Sequence, residues 1–492
     1  MNINMQDEAA PVIEMVPSQA LTGLTENHLN LLLKSQQQAF IKNPAPSLKM
    51  RVNDLQRLKT ALINHQDELI TALNKDFGAR SRDETIIIEF MPVLEGIKYT
   101  LKHLKKWLNP SKRHVSIQLQ PAQAKVVYQP LGVVGIVVPW NYPLMLSASP
   151  LVSALAAGNR AMIKMSEYTP KTSALFADII RRIFPADQVT VVNGGADLAA
   201  IFTQLKFDHL LFTGSTPVGR QVMSAAAKNL TPVTLELGGK SPVIINDDFP
   251  IKEVAQRICS GKSVNAGQTC IAPDYVLVKK SQRDDFVKAY INAFNKMYPK
   301  LNNNNDYSAI INNKQYQRLQ RLLDDAQKKG AVIKTVTDDL ITDGSRRMSP
   351  KIILSPSEDM AIMQEEIFGP LLPVIVVNSL DEAIAYIQSR PRPLALYYFG
   401  KDKQKQKQVI EQTHSGGVTI NDTLMHAAID DMPFGGIGCS GMGHYHGHEG
   451  FLQLTKAKSV LIKGKINVNK LIYPPFSGFF KKMVINYLAR KK

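Results

Sequence analysis

The chain has 492 residues, of which 44% are hydrophobic and 21% charged; this is the composition of a folded globular protein, not of a disordered one. Its three cysteines form no CxxC or CxxH pair, which argues against a disulfide framework or structural zinc site and favours a reducing compartment. The net charge is +17, but no RNA-binding or DNA-reading motif accompanies it, so we predict no nucleic-acid partner. Part of the excess lies in the tail, where no acid offsets eight cations: Lys463, Lys465, Lys470, Lys481, Lys482, Arg490, Lys491 and Lys492.

Neither the first residues nor the apolar segments indicate export or a membrane span. Met1–Met15 lacks a basic stretch followed by an apolar one, so we predict no signal peptide. The longest mostly apolar segment, Leu144–Ala157, is too short to cross a bilayer and is rich in serine and alanine. We therefore expect a cytoplasmic protein.

Roughly the first 110 residues are predicted to be mainly helical, since Lys49–Lys75 has helical spacing with mixed charges. Val115–Tyr128 instead alternates at period two around a proline, which predicts a protruding hairpin.

From about residue 130, short apolar runs alternate with amphipathic segments. The predicted strands are 131–138, 160–165, 189–193 and 209–213, and the helices that follow them end near residues 157, 184, 205 and 228. This alternation predicts a parallel sheet covered on both faces, with ligands bound where its strands end. A second alternating stretch, from Pro232 to about Asn421, predicts a second α/β domain.

The segment Gly267-Gln268-Thr269-Cys270 contains a candidate nucleophile. A thiolate can attack a carbonyl, a nearby glycine allows close backbone approach, and the backbone N–H of the cysteine can bond a developing oxyanion. A single cysteine is more commonly a small buried side chain. We interpret Cys259, in an apolar helix, and Cys439, in a glycine-rich stretch, in that way.

Two polar residues follow apolar strands and could assist such a nucleophile. Glu236 ends an apolar run and precedes a glycine turn, so a carboxylate with a raised pKa there could act as a general base. Asn141, in the loop Pro139–Pro143, could donate an amide N–H to an oxyanion. The alternatives are a surface or helix-capping acid and an asparagine that supports the turn.

Three segments have residues suited to a dinucleotide. Phe212–Gly219 links a strand to a helix start, and its glycines and hydroxyls suit a phosphate, although the segment is not GxGxxG. Glu167 follows Lys164 at another strand end and could accept hydrogen bonds from ribose hydroxyls. Glu365–Pro370 places an acid and an aromatic ring before a Gly-Pro turn, where they could hold a ribose and pack against a nicotinamide. The alternative is that these residues only stabilise the turn.

Together the motifs closely resemble the aldehyde dehydrogenase superfamily. The resemblance covers about Leu55 to Lys458, and its motifs occur in the family's order: PWNYP, FTGSTPVG, LELGGKSP, GQTC, EEIFGP and PFGG. The stretches GQTCIAPDY and GMGHYHG are most similar to the class 3 and coniferyl aldehyde dehydrogenase branch.

The resemblance implies that Cys270 is the nucleophile, that Asn141 and the Cys270 backbone N–H form the oxyanion hole, and that Glu236 activates a water. It also implies a nicotinamide coenzyme held by a further set of residues: Trp140, Lys164, Glu167, Gly214, Ser215, Gly219, Glu366 and Phe368. Met165 stands where the family commonly has proline, which weakens the inferred coenzyme contact beside it. We expect NAD over NADP because Glu167 would repel a 2′-phosphate, with use of both left open.

The implied reaction is NAD(P)-dependent oxidation of an apolar or aromatic aldehyde to the carboxylic acid through a cysteine thiohemiacetal and thioester. The candidate substrates are coniferyl aldehyde and a medium- or long-chain fatty aldehyde. An acylating enzyme that passes the thioester to coenzyme A and a catalytically silent relative are the alternatives. No metal site is predicted, because His444, His446 and His448 lie among glycines and the family has a similar stretch without metal.

The family resemblance also predicts the fold: an α/β protein with a Rossmann-like dinucleotide-binding domain, an α/β catalytic domain and a small β bridging element. The expected boundaries are 20–114 and 129–235 for the dinucleotide domain, 236–430 for the catalytic domain, and 115–128 with 431–462 for the bridging element. A hairpin projecting from each subunit predicts a homodimer. The tail, 463–492, includes the basic apolar segment Leu471–Lys492, which could contact a membrane surface or dock on its own protein.

Overall fold

The computed structural model describes residues 25–116, 119–339, 341, 344–465, 470 and 473–490. The prediction for Met1–Met15 lies outside these residues, as does part of the predicted tail.

The helices are α1 (Glu26–Lys42), α2 (Leu48–Asn64), α3 (Gln66–Phe77), α4 (Arg82–Thr85), α5 (Met91–Trp107), α6 (Met145–Ala157), α7 (Pro170–Ile183), α8 (Ala196–Thr203), α9 (Thr216–Ala227), α10 (Ile251–Ser263), α11 (Lys280–Met297), α12 (Asn313–Lys328), α13 (Ala361–Gln364), α14 (Leu380–Gln388), α15 (Lys403–Gln412), α16 (Gly447–Gln453) and α17 (Phe479–Arg490).

The strands are β1 (Ser111–Arg113), β2 (Gln123–Pro130), β3 (Val133–Val137), β4 (Arg160–Lys164), β5 (Val189–Val192), β6 (His209–Gly214), β7 (Val233–Leu237), β8 (Pro242–Ile245), β9 (Tyr275–Lys279), β10 (Val332–Thr335), β11 (Lys351–Leu354), β12 (Leu371–Val377), β13 (Ala395–Phe399), β14 (Gly417–Ile420), β15 (Gly441–Met442) and β16 (Thr455–Ile462).

The first sheet has six strands in the order β15-β7-β6-β3-β4-β5, and its strands are parallel except for β15. This confirms the predicted parallel sheet. Its central strand β3 is buried along its whole length, as expected for an apolar run covered on both faces. The helix α6 beside it is apolar on nearly every side and ends at Gly158, whose φ of +88° suits glycine.

The strand β7 belongs to this first sheet, since it pairs in parallel with β6. The second α/β stretch, predicted to begin at Pro232, therefore begins one strand later, at β8. The expected domain boundary between residues 235 and 236 falls inside β7, which carries Glu236 near its end. An apolar run predicts a buried strand, but it does not show which of two adjacent sheets that strand will join.

The second sheet has seven strands in the order β10-β11-β12-β9-β8-β13-β14, and only the pairing of β10 with β11 is antiparallel. Helices α10 and α11 pack closely against each other beside it. One large apolar cluster extends from the N-terminal helices through α6 into this second sheet, so the two α/β parts share a core.

The third sheet has three antiparallel strands in the order β1-β2-β16. The hairpin predicted over Val115–Tyr128 differs in position: its first strand is the short β1, which ends before residue 115, and its second strand is β2. The C-terminal segment contributes to two sheets, because β16 joins β2 while β15 pairs with β7.

The tail ends in α17, whose side chains include exposed aromatic residues and lysines. Among the described residues, no helix combines the length and the apolar character that a membrane crossing requires.

Candidate active site

Cys270 lies in a loop between a short 3-10 turn, Val264–Gly267, and strand β9. Asn265 and Ala266 have φ values of +50° and +52°, and Gly267 follows at +76°. A non-glycine residue held in the left-handed region costs on the order of 1–3 kcal/mol. The loop is therefore held in a strained conformation immediately before the thiol.

The buried side chain of Gln268 stabilises this loop through hydrogen bonds. Its amide nitrogen donates to the carbonyls of Asn265 (2.9 Å) and Ala309 (3.0 Å), and its side-chain oxygen accepts from the backbone N–H of Ile311 (3.0 Å). The side chain is completely buried. These bonds stabilise the strained turn and set the direction in which the chain continues to Cys270.

Asn141 reaches the same loop from the end of β3. It is buried, and its amide nitrogen donates to the carbonyl of Gln268 at 3.1 Å. An amide nitrogen carries two hydrogens, so the second remains available to a ligand beside Cys270. The next residue, Tyr142, shares a 2.6 Å hydrogen bond with the hydroxyl of Thr269. Two consecutive residues of the PWNYP loop thus contact the two residues before the thiol.

Glu236 is buried near the end of β7, and neither of its carboxyl oxygens has a hydrogen-bond partner. Burial raises the pKa of this carboxyl well above its ordinary value. Gly435 lies against it, because a side-chain carbon added to that glycine would come within 3.2 Å of one carboxyl oxygen. A desolvated acid of this kind is suited to hold or accept a proton near neutral pH.

The thiol of Cys270 is half-buried, and burial raises its pKa to about 12, with further contributions from the carboxyls of Glu366 and Glu236. Both acids therefore lie close enough to act on the sulfur electrostatically. In this state of the protein the thiol is neutral at physiological pH, and its activation requires a nearby base or a positive charge.

A dinucleotide would fit the crevice at the carboxyl ends of β4, β6 and β7. Helix α9 begins there with Ser215 at its N-cap, and the serine side chain makes no capping bond. Gly219 packs against Leu237, where a side chain would collide, so α9 lies close to the sheet. Free backbone N–H groups and a hydroxyl at a helix N-terminus suit a pyrophosphate, and Gly214 ends β6 just before them.

The turn Glu365–Pro370 faces the same crevice. Glu366 contacts Gly238, and one of its carboxyl oxygens is buried without a partner. Phe368 packs edge-to-face on Trp140, with ring centroids 5.2 Å apart. The unpaired oxygen fits a ribose hydroxyl, and the ring of Phe368, held by its contact with Trp140, fits a flat heterocycle.

Lys164 and Glu167 occupy the end of β4. The lysine ammonium is buried and donates to the carbonyls of Met165 (2.6 Å) and Gly194 (2.7 Å). Glu167 is exposed and raises the pKa of Lys164, which burial lowers more strongly. The structure thus places both residues at the strand end, with the acid accessible to a ligand.

Two residues at the site, Lys240 and Asp274, are not among those that the sequence predicted. Lys240 forms an ion pair with Asp274 and donates to the carbonyl of Ile362 (2.7 Å), which connects the turn between β7 and β8 to the segment before Glu366. Asp274 also accepts from the backbone N–H of Ile367 at 2.9 Å. Lys240 stands in the motif LELGGKSP and Asp274 in the stretch GQTCIAPDY. Their backbone partners come close only when the two sheets pack together.

The histidines near the C-terminus pack against aromatic rings. His446 stacks on Phe434, with ring centroids 5.9 Å apart, and His448 stacks on Trp107 at 5.5 Å. Within the described parts of the chain, no three or more His, Cys, Asp or Glu side chains are grouped so that they could hold a metal ion.

Comparison with known proteins agrees with this geometry. The model of the aldehyde dehydrogenase family matches residues 11–460. A probable coniferyl aldehyde dehydrogenase of Pseudomonas aeruginosa is 55% identical over 465 residues, which cover 94% of this chain and 97% of the relative. Together with relatives named as family 3 aldehyde dehydrogenases, it confirms the predicted branch.

Solved structures agree as well. Staphylococcus aureus AldH in its substrate-bound state superposes with a TM-score of 0.87 at 38% identity, covering 93% of this chain and 99% of that one. A Mycobacterium tuberculosis aldehyde dehydrogenase complexed with NAD+ gives a TM-score of 0.82 at 27% identity, with 90% and 92% covered.

Proposed function

The chain belongs to the aldehyde dehydrogenase family, and from this premise we propose which residues perform the chemistry and which aldehydes they receive. As a family member it is an NAD(P)-dependent oxidoreductase that oxidises an aldehyde. We infer that Cys270 is the nucleophile. The strongest support is the convergence around its thiol, where the Asn141 amide bonds Gln268 and the carboxyl of Glu236 acts electrostatically on the sulfur.

In the first step the Cys270 thiolate adds to the aldehyde carbon, and the carbonyl oxygen becomes an alkoxide. The free hydrogen of the Asn141 amide and the Cys270 backbone N–H stabilise that charge. One such donor is worth about 10²–10³ in rate in other enzymes. NAD, when bound, supplies the acceptor for the hydride that the collapsing alkoxide expels.

The second half of the reaction releases the acid. Glu236 takes a proton from a water molecule, the resulting hydroxide adds to the thioester carbon, and the Cys270 thiolate leaves. Because both Glu236 oxygens lack partners in the protein, this carboxyl is free to bind the water. The sum is aldehyde, NAD+ and water giving carboxylic acid, NADH and a proton.

The alternative is transfer of the acyl group to coenzyme A. A buried, unpaired Glu236 beside the thiol favours hydrolysis. Incubation with aldehyde and NAD, with and without coenzyme A, separates the two. We expect the free acid in equal yield in both, whereas formation of acyl-coenzyme A would overturn the proposal.

The coenzyme would be held by the crevice residues described above. Gly214, Ser215 and Gly219 would receive the pyrophosphate, with Trp140 beside it, while Lys164 and Glu167 would contact the adenosine ribose. Glu366 would hold the nicotinamide ribose, and Phe368 would pack beside the ring.

We propose NAD over NADP because an exposed carboxylate at Glu167 repels a 2′-phosphate. Glu167→Gln should raise kcat/KM for NADP by roughly tenfold, the order expected when one like-charge contact is removed. An unchanged NAD-to-NADP ratio would contradict this role.

We propose apolar or aromatic aldehydes, among them coniferyl aldehyde and medium- or long-chain fatty aldehydes, as substrates. Three buried aromatic side chains lie near the thiol, since the pKa values of Tyr142, Tyr397 and Tyr445 are raised by burial and, to a smaller extent, electrostatically by Cys270. The similarity to a probable coniferyl aldehyde dehydrogenase supports the same class. A kcat/KM panel should favour cinnamyl-type and long-chain aldehydes over acetaldehyde and charged aldehydes by about tenfold or more; equal values would contradict the proposal.

We propose a homodimer built on the bridging element. Strand β16 forms one edge of the three-stranded sheet and β14 one edge of the seven-stranded sheet, so each leaves backbone groups on its outer side among the described residues. Sedimentation equilibrium should give twice the 54.6 kDa chain mass. A mass equal to one chain would overturn the proposal.

We also propose that the tail contacts an anionic membrane surface. In α17, Phe479 is 86% exposed and Tyr487 62% exposed, and Lys481 and Lys482 lie between them. Full-length protein should sediment with vesicles that contain phosphatidylglycerol, whereas a version ending at Lys463 should not. Equal sedimentation would overturn the proposal, and binding to neutral phosphatidylcholine vesicles alone would contradict the charge argument.

A further inference from the structure

A buried ion pair lies next to the PWNYP loop, which carries Asn141. The two residues of the pair belong to none of the family motifs. The guanidinium of Arg80 and the carboxyl of Glu89 are 2.9 Å apart, and both side chains are completely buried. Arg80 also donates to the backbone carbonyl of Asn141 at 2.8 Å. The other oxygen of Glu89 accepts from the backbone N–H groups of Leu144 and Met145, at the start of α6. The pair therefore holds the PWNYP loop at its middle residue and immediately after its last one.

A second acid on the same helical segment reaches the nucleophile loop. Glu84 accepts a 2.9 Å hydrogen bond from the backbone N–H of Asn265, the first left-handed residue before Cys270. The same oxygen accepts from the hydroxyl of Ser308 at 3.3 Å. An N–H bonded to a fixed acceptor helps to hold a backbone conformation that the residue would otherwise leave.

Asn265 connects the two contacts. Its side-chain amide donates to the carbonyls of Asn141 (3.1 Å) and Gln268 (3.3 Å). The Asn141 carbonyl therefore accepts from Arg80 and from Asn265, while Glu84 holds the Asn265 backbone. The PWNYP loop and the loop that carries Cys270 are thus joined through residues of one segment, Arg80–Glu89, which leads into and includes α4.

We propose that Glu84 is a positioning residue of the active site: by holding Asn265 in its left-handed turn it fixes the Cys270 thiol against the Asn141 amide. This inference rests on the proposed roles of Cys270 and Asn141. In this role Glu84 accepts a hydrogen bond from the Asn265 backbone, so the length of its side chain matters more than its charge. The direct ionic partner of Arg80 is Glu89.

The chemistry of the carboxyl supports an acceptor role. Burial raises the pKa of Glu84 to about 7, although Arg80 and the Asn265 hydrogen bond oppose the shift. The group is thus partly neutral near physiological pH, and a neutral oxygen in the same place should serve Asn265 nearly as well.

The test uses full-length protein and three substitutions at this position. Glu84→Ala removes the acceptor, Glu84→Gln keeps an oxygen at the same reach without the charge, and Glu84→Asp keeps the charge but shortens the reach by one methylene. Asp83→Ala, an exposed neighbour in the same helical turn, is the matched control. The readouts are the rate of the first NADH turnover, the KM for NAD, and the rate at which iodoacetamide alkylates Cys270.

We expect Glu84→Ala and Glu84→Asp to slow the first turnover and the alkylation by about tenfold or more, since small misplacements of reacting groups cost this much. Glu84→Gln should stay within about threefold of the wild-type rates, and the KM for NAD should change little in all variants because Glu84 contacts none of the proposed coenzyme residues. Asp83→Ala should leave every readout unchanged.

Two outcomes would overturn the proposal. One is a first-turnover rate for Glu84→Ala equal to that of the wild type. The other, decisive even if the alanine variant does not fold, is an active Glu84→Asp beside a slow Glu84→Gln, which would make charge the required property. Failure of the proposed function differs from both, because Cys270→Ala would then retain turnover.

Discussion

The proposed active site has a nucleophile side, the loop around Cys270, and an acid side, formed by Glu236 and Glu366, and the two are built in opposite ways. On the nucleophile side, the amide group of Gln268 has protein partners on both its nitrogen and its oxygen, and Asn141 and Tyr142 bond the same loop. On the acid side, both oxygens of Glu236 and one of Glu366 are buried with no partner.

The difference follows from what each side must do. A nucleophile needs one geometry throughout the reaction, and permanent hydrogen bonds supply it even at the cost of a strained turn. A general base or a ribose ligand must bind a transient partner, so its acceptor atoms stay free. Leaving a carboxyl desolvated and unpaired costs stability, which is the usual trade between stability and activity.

The strongest test of this comparison is removal of the nucleophile. Cys270→Ala should reduce turnover by at least about 10⁴-fold, as loss of a nucleophile does in other enzymes that form covalent intermediates. Its melting temperature should stay close to that of the wild type, because the loop is held by Gln268 and not by the thiol. NADH absorbance and a thermal melt measure both.

Cys439→Ala is the matched control, since Cys439 is an exposed thiol with no proposed role. It should keep full activity. Comparable loss in both variants would mean that the assay reports general damage.

The next largest effect should come from the acid side. Glu236→Gln should slow steady-state turnover by about 10²–10⁴-fold, the range for loss of a general base. The first turnover should stay fast, because hydride transfer does not need the water. Stopped-flow NADH absorbance should show a burst equal to the enzyme concentration, and its absence with normal thioester hydrolysis would contradict the assignment.

The pH dependence should separate the two sides further. In the proposed mechanism Cys270 reacts as a thiolate and Glu236 as a carboxylate, and both groups have raised pKa values, near 12 for the thiol. Activity that needs a deprotonated group is lost as the pH falls through its pKa. Alkylation of Cys270 without coenzyme should therefore rise about tenfold per pH unit from pH 6 to 9.

This measurement uses the Cys439→Ala background, so that the exposed thiol does not react. Saturating NAD should move the curve to lower pH, because the positively charged nicotinamide ring favours the thiolate. A plateau below pH 8 in the absence of coenzyme would contradict the raised thiol pKa.

The smallest effect should come from one bond of the nucleophile side. Tyr142→Phe removes the 2.6 Å hydrogen bond to Thr269 and should lower the free energy of unfolding by about 0.5–1.5 kcal/mol. A double-mutant cycle with Thr269→Val, read by denaturant unfolding, isolates the bond. Additive effects of the two substitutions would show that the pair does not interact.

Local sequence patterns were enough to predict the parallel sheet and the family, and they supplied the candidate residues of the site. Alternation of apolar runs and amphipathic segments is a local property, so β3, β4, β5 and β6 were predicted within a few residues. Cys270, Asn141 and Glu236 could be proposed from the sequence because each stands in a short motif with a recognisable residue order.

Which segments meet is seen only in the folded protein. The membership of β7 in the first sheet, the early start of the hairpin at β1 and the pairing of β15 with β7 depend on long-range contacts that no local pattern encodes. The contacts of Arg80 and Glu84 with the active-site loops span from 61 to 181 residues of chain. Their partners are backbone atoms, which every residue possesses, so the sequence contains no sign of them before the fold brings them together.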